Sequence, residues 1–146
     1  MRISHVLFIL GMAIPGCGSG MMSGSDDMRR AVGDAIDEGQ THGSAARAVA
    51  TMQAMFDDVD RHTSRMDAIM DDMGNDMDSM QHCSGIQSMR NLRDRIRTGL
   101  DLHAATIHTL TNMDDARGEV EDHVGTMGTM LGDMRTMLDG THCNGW

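Results

Sequence analysis

Four of the eight histidines in this chain are spaced so that they could surround one metal ion. His42 and His62 lie 20 residues apart, and His103 and His123 repeat that pair 61 residues further along the chain. Neutral imidazole nitrogens bind zinc, copper, nickel and iron. The repeated spacing therefore indicates a duplicated metal site, with each of the four histidines as a candidate ligand.

The residues around the second histidine of each pair are also duplicated. Residues 58–66 read DVDRHTSRM and residues 119–127 read EVEDHVGTM, so a methionine follows each histidine by four residues. A thioether is a soft ligand that favours copper, especially in its reduced state. Met66 and Met127 are therefore candidate ligands beside the histidines, and copper is the favoured ion, with zinc as the other candidate.

The duplication extends through most of the chain. A shift of 61 residues aligns, without a gap, Met28 with Met89, Met52 with Met113, Val59 with Val120 and Met73 with Met134. After one residue of slippage, HCSG at 82–85 aligns with HCNG at 142–145. Because a repeat of this length defines the architecture, we predict one unit over about 28–85 and a second over about 89–146.

Apolar residues in both units recur every three or four positions, which is typical of the buried side of an α-helix. Each unit is long enough for two such helices, so each is predicted to be a helical hairpin. Two hairpins in tandem predict an all-α fold, an up-down-up-down four-helix bundle over residues 28–143. The second helix is rich in aspartate and the third in arginine, which favours packing of these two helices side by side.

The sequence offers two positions for the first turn. Residues 41–44 contain a glycine and a serine that could cap a helix. By the repeat, however, the turn falls at 51–52, because the second hairpin is predicted to turn at 111–114, where Asn112 or Thr111 can cap the next helix. We favour 51–52 because it makes the four helices about equally long.

The later turn predicts where the histidines lie. In an antiparallel hairpin, residues equidistant from the turn lie at the same height, and all four histidines are ten residues from position 52 or 113. They should form one layer in the core. The adjoining layers should be Ala46, Val59, Ile107 and Val120 towards the turns, and Gly39, Met66, Leu100 and Met127 on the other side. A turn at 41–44 would instead leave three histidines level.

Two other interpretations of the layer remain open at this stage. The histidines could be purely structural, with hydrogen-bond partners or water. The bundle also resembles soluble four-helix b-type cytochromes, a resemblance that implies haem b with histidine or methionine as axial ligands. A di-iron carboxylate centre is disfavoured, because valine occupies positions 59 and 120, where that motif needs glutamate.

The two cysteines near the ends of the units are predicted to form a disulfide. Cys83 and Cys143 each follow a helix, and those two helices run in the same direction, so the cysteines should lie close together. The alternative is a second metal site with His82 and His142, although the adjacent His-Cys spacing makes this sterically awkward for one ion.

The N-terminus resembles that of bacterial lipoproteins. A short apolar stretch ends in Ile14-Pro15-Gly16-Cys17, which is similar to a lipobox. The resemblance implies a signal peptide over 1–16, a lipid on Cys17 and sorting to the outer membrane, facing the periplasm. Residues 17–27 would then be the lipidated cysteine and a flexible tether.

Composition limits the function further. The net charge of −10 argues against nucleic acid as a partner. No phosphate-binding loop, H-E-x-x-H motif or nucleophile with a defined base occurs, so no enzyme activity is predicted. We expect a membrane-anchored lipoprotein that binds a transition metal in a histidine layer. The alternatives are a haem-binding bundle and a structural or interaction lipoprotein whose protein partner is unknown.

Overall fold

The chain is folded into four α-helices in a computed structural model that describes the backbone of residues 19–143 and the side chains of residues 24–143. The helices are α1 (Ser19–Ala48), α2 (Met52–Ser79), α3 (Ile86–Ile107) and α4 (Met113–Asp139). Within this range there is no β-strand, and the only strand-like pairing is an isolated bridge between Cys83 and Cys143. The predicted all-α four-helix bundle is confirmed. None of the helices within the described range is long and apolar enough to cross a membrane.

The helices pack in a square. Helix α1 contacts α2 and α4, and α3 contacts the same two helices, so α1 and α3 are diagonal to each other, as are α2 and α4. Ion pairs join the acidic α2 to the basic α3, as predicted: Arg90 contacts Asp78 at 2.9 Å, and Arg97 contacts Asp71. Exposed ion pairs of this kind each contribute little to stability, so they select the neighbour more than they stabilise it.

The first hairpin turns at the later of the two candidate positions. Helix α1 continues to Ala48, and Thr51 caps α2 by accepting a hydrogen bond from the backbone N–H of Ala54 at 3.2 Å. The second hairpin repeats this arrangement, since Asn112 caps α4 by accepting from the N–H of Asp115 at 2.9 Å. Residues 41–44 lie inside α1, because core contacts on both sides of them outweigh the local turn signal.

The N-terminal boundary of the bundle differs from the prediction. Helix α1 begins at Ser19, so residues 19–27, which were expected to belong to a flexible tether, are helical. Two contacts accompany the extension. Asp27 pairs with Arg30 one turn later at 2.9 Å, and Gly24 packs closely against Ser79 at the end of α2. The predicted signal peptide over 1–16 and Cys17 lie outside the described residues.

The core consists of two apolar clusters with the histidines between them. The cluster towards the turns contains Ala46, Met55, Val59, Ile107, Ala116 and Val120. The larger cluster towards the disulfide is rich in methionine, including Met28, Met66, Met70, Met73, Met77, Met80, Met89, Met127, Met130 and Met134. Gly39 belongs beside this cluster, because a Cβ there would lie 2.8 Å from Cε of Met127. The predicted layers on either side of the histidines are confirmed.

Cys83 and Cys143 form a disulfide, as predicted. The two segments around it also pair through the backbone, since Ser84 N–H donates to the carbonyl of His142 at 3.1 Å and His142 N–H donates to Oγ of Ser84 at 3.0 Å. The alternative of a second metal site at this end is thereby wrong, because both sulfurs are bonded to each other and cannot act as thiolate ligands.

The disulfide should make a large contribution to stability. It joins residues 60 positions apart, so replacing both cysteines with serine should lower the free energy of unfolding by about 4 kcal/mol, because the unfolded chain gains conformational freedom. Urea denaturation of oxidised wild type and of the double variant measures this difference. An unchanged midpoint would mean that the backbone pairing at Ser84 and His142 alone holds the two ends together.

Candidate metal centre

The four predicted histidines meet at one level of the bundle, each contributed by a different helix. His42 and His62 are fully buried, His103 is 1% exposed, and His123 is partly buried. Within each hairpin the two rings stack, with centroids 4.0 Å apart and planes within 10° of parallel. The structure therefore brings together all four residues that the repeat predicted to be level.

Across the bundle, the rings face each other in two diagonal pairs. Nε2 of His42 lies 3.1 Å from Nε2 of His103, which joins α1 to α3. Nε2 of His62 lies 3.4 Å from Nε2 of His123, which joins α2 to α4. The planes within these pairs are nearly perpendicular, at 77° and 81°. All four Nε2 atoms thus point inwards, away from the helices that carry them.

The outer nitrogens of three rings are held by carboxylates that the sequence analysis missed. Nδ1 of His42 donates to Asp58 at 2.7 Å. Nδ1 of His103 donates at 3.2 Å to Glu119, which is the residue equivalent to Asp58 in the second unit. Nδ1 of His62 donates to Glu38 at 3.1 Å. Carboxylates at this position orient metal-binding histidines and make the other nitrogen a better ligand. The sequence did contain a signal for two of these carboxylates, because Asp58 and Glu119 are the first residues of the two duplicated motifs.

Two arginines balance the carboxylates of the first unit. Arg61 binds both Asp58, at 2.7 Å, and Glu38, at 3.0 Å, and Arg65 binds the other oxygen of Glu38 at 2.9 Å. Glu38 and Asp58 are 5% and 9% exposed, and carboxylates this deeply buried need such partners. They are therefore held in place whether or not the imidazoles change their contacts.

The second unit lacks most of this support. Its residues equivalent to Glu38, Arg61 and Arg65 are Gly99, Asp122 and Thr126. His123 therefore has no carboxylate at the position equivalent to Glu38, and Glu119 has an acid nearby in place of an arginine. Burial, and secondly the charge of Asp122, raise the pKa of Glu119. The histidine layer is symmetric, whereas the charges around it are not.

The buried position keeps the imidazoles neutral at physiological pH. Burial lowers the pKa of His62 to about 2, that of His123 to about 3 and that of His103 to about 4. Burial also lowers the pKa of His42, an effect that its hydrogen bond with Asp58 opposes. Since metals bind the unprotonated nitrogen, these shifts leave the rings in the form that can act as ligands.

The hydrogen bonds at His42 and His103 leave the centre of that pair incomplete. A neutral imidazole has one N–H and one lone pair. Because Nδ1 of both rings donates to a carboxylate, both Nε2 atoms carry lone pairs, and these face each other at 3.1 Å. Facing lone pairs repel each other unless a proton or a metal cation lies between them. This pair therefore has the chemistry of a two-nitrogen cation site.

The rings are not arranged for four nitrogens on one ion. No group of three or more His, Cys, Asp or Glu side chains in the described range has coordination geometry for a metal. The physical reason lies in the stacking, because an ion bound by imidazole lies in the ring plane, and two parallel rings 4.0 Å apart share no such point. The structure thus brings the predicted ligands together without giving them the geometry of a single four-histidine site.

The two predicted methionine ligands lie on the disulfide side of the layer. Met66 and Met127 are buried in the methionine-rich cluster, where packing alone accounts for their position. Met127 also lines a groove of about 210 Å³ between α1 and α4, together with Gly39 and Val124. Met127 thus lies one helical turn from His123 and contributes to the lining of this groove.

A haem does not fit between these histidines. Stacked rings at 4.0 Å and facing nitrogens at 3.1 and 3.4 Å fill the cross-section of the bundle at this level. A macrocycle would have to separate helices whose side chains interlock above and below the layer. The residues that are present therefore argue against the haem alternative.

Comparison with known proteins adds no functional assignment, because no protein-family model, no curated protein and no solved structure matches this chain.

Acid should destabilise the metal-free protein as the pH falls below about 6.5, the pKa of an unfolded histidine. The folded state keeps His62, His103 and His123 unprotonated down to about pH 2, 4 and 3, whereas an unfolded histidine takes up a proton near pH 6.5. Stability is therefore highest above pH 6.5 and falls as the pH falls towards these lower values. Each such histidine contributes a slope of up to about 1.4 kcal/mol per pH unit.

Urea denaturation of metal-free protein between pH 7 and pH 5 measures this slope. Replacing the exposed His108 with alanine should leave it unchanged, and replacing His62 with leucine should reduce it. If the free energy of unfolding of wild type is constant over this range, the imidazoles are not buried in neutral form.

Proposed function

We propose that this protein is a membrane-anchored lipoprotein facing the periplasm that binds a transition metal, with copper favoured over zinc, in its core histidine layer. The candidate ligands are His42, His62, His103 and His123, with Met66 and Met127 beside them. The observation that carries the proposal is the 3.1 Å distance between Nε2 of His42 and Nε2 of His103, because with both Nδ1 atoms hydrogen bonded to carboxylates the pair needs a proton or a metal cation between its lone pairs.

The electrostatics of the layer support the same proposal. In a purely structural layer, each inner nitrogen would be paired as donor to acceptor with another ring. Here three of the four N–H groups are donated outwards to carboxylates, so the lone pairs are concentrated at the centre. That distribution stabilises a positive charge at the centre and destabilises an empty one.

The role we propose is sequestration, delivery or sensing of the ion, without catalysis. In the described range, the nitrogens of the four imidazoles contact one another and the carboxylates of Glu38, Asp58 and Glu119. An ion could enter along the groove that Met127 lines, where its thioether would receive a soft cation before the histidines do. The net charge of −10 would raise the local concentration of cations at the protein surface.

Removal of one ring from each diagonal pair should abolish binding. In the double variant His42→Leu/His62→Leu, leucine matches the apolar layers on both sides, and Arg61 still neutralises Asp58 and Glu38. Titration of Cu⁺ against a competing chelator under reducing conditions, and of Zn²⁺ in separate experiments, should show an affinity at least 100-fold below that of wild type.

The matched control is His108→Leu, since His108 is exposed and contacts Asp60 and the ring of Phe56, outside the histidine layer. It should bind like wild type. Circular dichroism establishes that both variants are folded. If wild-type protein binds neither copper nor zinc, the metal proposal fails and the structural or interaction lipoprotein takes its place.

The membrane anchor is a separate proposal that rests on Ile14 to Cys17. Mass spectrometry of protein extracted from membranes should find a mature chain that begins at Cys17 and carries lipid. The variant Cys17→Ala should move the protein from the membrane fraction to the soluble fraction, while Cys83→Ser should not. An unmodified N-terminus at another residue would refute lipidation and leave the metal proposal intact.

A further inference from the structure

We infer, on the basis of the proposed function, that the layer holds one monovalent soft cation of the class of Cu⁺ or Ag⁺. It is bound linearly between Nε2 of His42 and Nε2 of His103. The other diagonal pair, His62 and His123, stays hydrogen bonded. The inference narrows the site from four ligands to two and specifies the charge of the ion.

The first step is the direction of the lone pairs. Within a hairpin the stacked rings have parallel planes, so their lone pairs run side by side and do not converge on one ion. Across the diagonal, Nε2 of His42 points at Nε2 of His103 well enough to meet hydrogen-bond geometry. An ion between these two atoms would lie in both ring planes. Two-coordinate binding is therefore available without rotating the rings, whereas four-coordinate binding requires all of them to turn.

The second step is the distance. Two metal–nitrogen bonds of about 2.0 Å in a line need about 4 Å between the nitrogens, compared with 3.1 Å here. The layer must widen by less than 1 Å. The methionine side chains that pack against it on the disulfide side are unbranched and adaptable, so they can follow such a movement at low cost.

The third step distinguishes the two diagonal histidine pairs. Both outer nitrogens of the His42–His103 pair donate to carboxylates, so neither ring can turn an N–H towards the centre. In the other pair only His62 is held in this way, by Glu38. The position equivalent to Glu38 in the second unit is Gly99, so His123 is free of that constraint and can donate its N–H to Nε2 of His62. That pair is satisfied without a cation.

The fourth step is the local charge. The carboxylates on the rings are those of Glu38, Asp58 and Glu119, and the arginines on these carboxylates are Arg61 and Arg65. Three negative and two positive groups leave one negative charge when all are ionised. One monovalent cation neutralises this set, whereas a divalent ion would leave a net positive charge in a buried site, which is costly.

The test is the stoichiometry and coordination of Ag⁺ and Cu⁺ in the intact mature protein. Native mass spectrometry should find one Ag⁺ or one Cu⁺ per chain, and X-ray absorption of the Cu⁺ form should find two nitrogen ligands. His103→Leu should lower the affinity for Ag⁺ at least 100-fold, and His123→Leu less than tenfold. Should His103→Leu not fold, His42→Leu serves in its place, with the same expected loss.

A variant designed to gain a second site tests whether the carboxylates determine which histidine pair binds an ion. The space beside Gly99 is open, since an added Cβ there meets no atom within 4 Å. Gly99→Glu places a carboxylate where His123 needs one, so the second pair should acquire facing lone pairs and the number of bound Ag⁺ ions should rise from one to two. Gly118→Glu, at another position with open space in the same unit, is the matched control and should bind one.

These outcomes separate the inference from the proposed function. Any one of four results would overturn the two-coordinate site while metal binding stands. These are four nitrogen ligands in X-ray absorption, equal losses of affinity in His103→Leu and His123→Leu, tight binding of Zn²⁺ without Ag⁺, and one bound ion in Gly99→Glu. If the protein binds none of Cu⁺, Ag⁺ and Zn²⁺, both the two-coordinate site and the proposed metal-binding function are wrong.

Discussion

The structure of this bundle depends on a single constraint, that a buried imidazole must have a partner for each of its nitrogens. Leaving a buried polar atom without a partner costs about 1–3 kcal/mol, and the layer contains eight ring nitrogens between two apolar clusters. Asp58, Glu38 and Glu119 are recruited for this reason, and Arg61 and Arg65 are needed because buried carboxylates require cations. The needs of this layer therefore explain why two carboxylates, those of Glu38 and Asp58, are buried.

Duplication explains both the regularity of the layer and its exceptions. The shift of 61 residues gives a bundle in which α3 and α4 reproduce α1 and α2, so equivalent histidines meet across the diagonals. The substitutions between the units then fall around the layer, with Gly99 in place of Glu38 and Asp122 in place of Arg61. A symmetric set of histidines thereby has asymmetric surroundings, since carboxylates hold both outer nitrogens of the His42–His103 pair and only one of the His62–His123 pair.

The sequence predicted the parts of this fold that follow from periodicity. Apolar spacing and the repeat sufficed for four helices, for the turn at 51–52 in preference to 41–44 and for the level of the four histidines. The hydrogen-bond partners could not be predicted in the same way, because Asp58 precedes His62 by four residues yet contacts His42 on another helix. The direction of each ring depends on side-chain rotamers, which no spacing rule contains. The start of α1 at Ser19 was missed because glycines and serines there indicate a linker locally, while the packing of Gly24 against Ser79 is a long-range contact.

The methionine content of the core can be understood from what the layer must do. A core of leucine would pack at least as well, and branched residues would hold the layer more rigidly. Here most of the buried methionines lie on the disulfide side, with Met55 on the turn side, and branched residues occur in both clusters. The disulfide side of the layer is thus richer in unbranched side chains, which adapt to small movements at low cost. Under the proposed function, facing nitrogens 3.1 Å apart must separate to admit an ion, and adaptable methionine packing on one side of the layer lowers the cost of that movement.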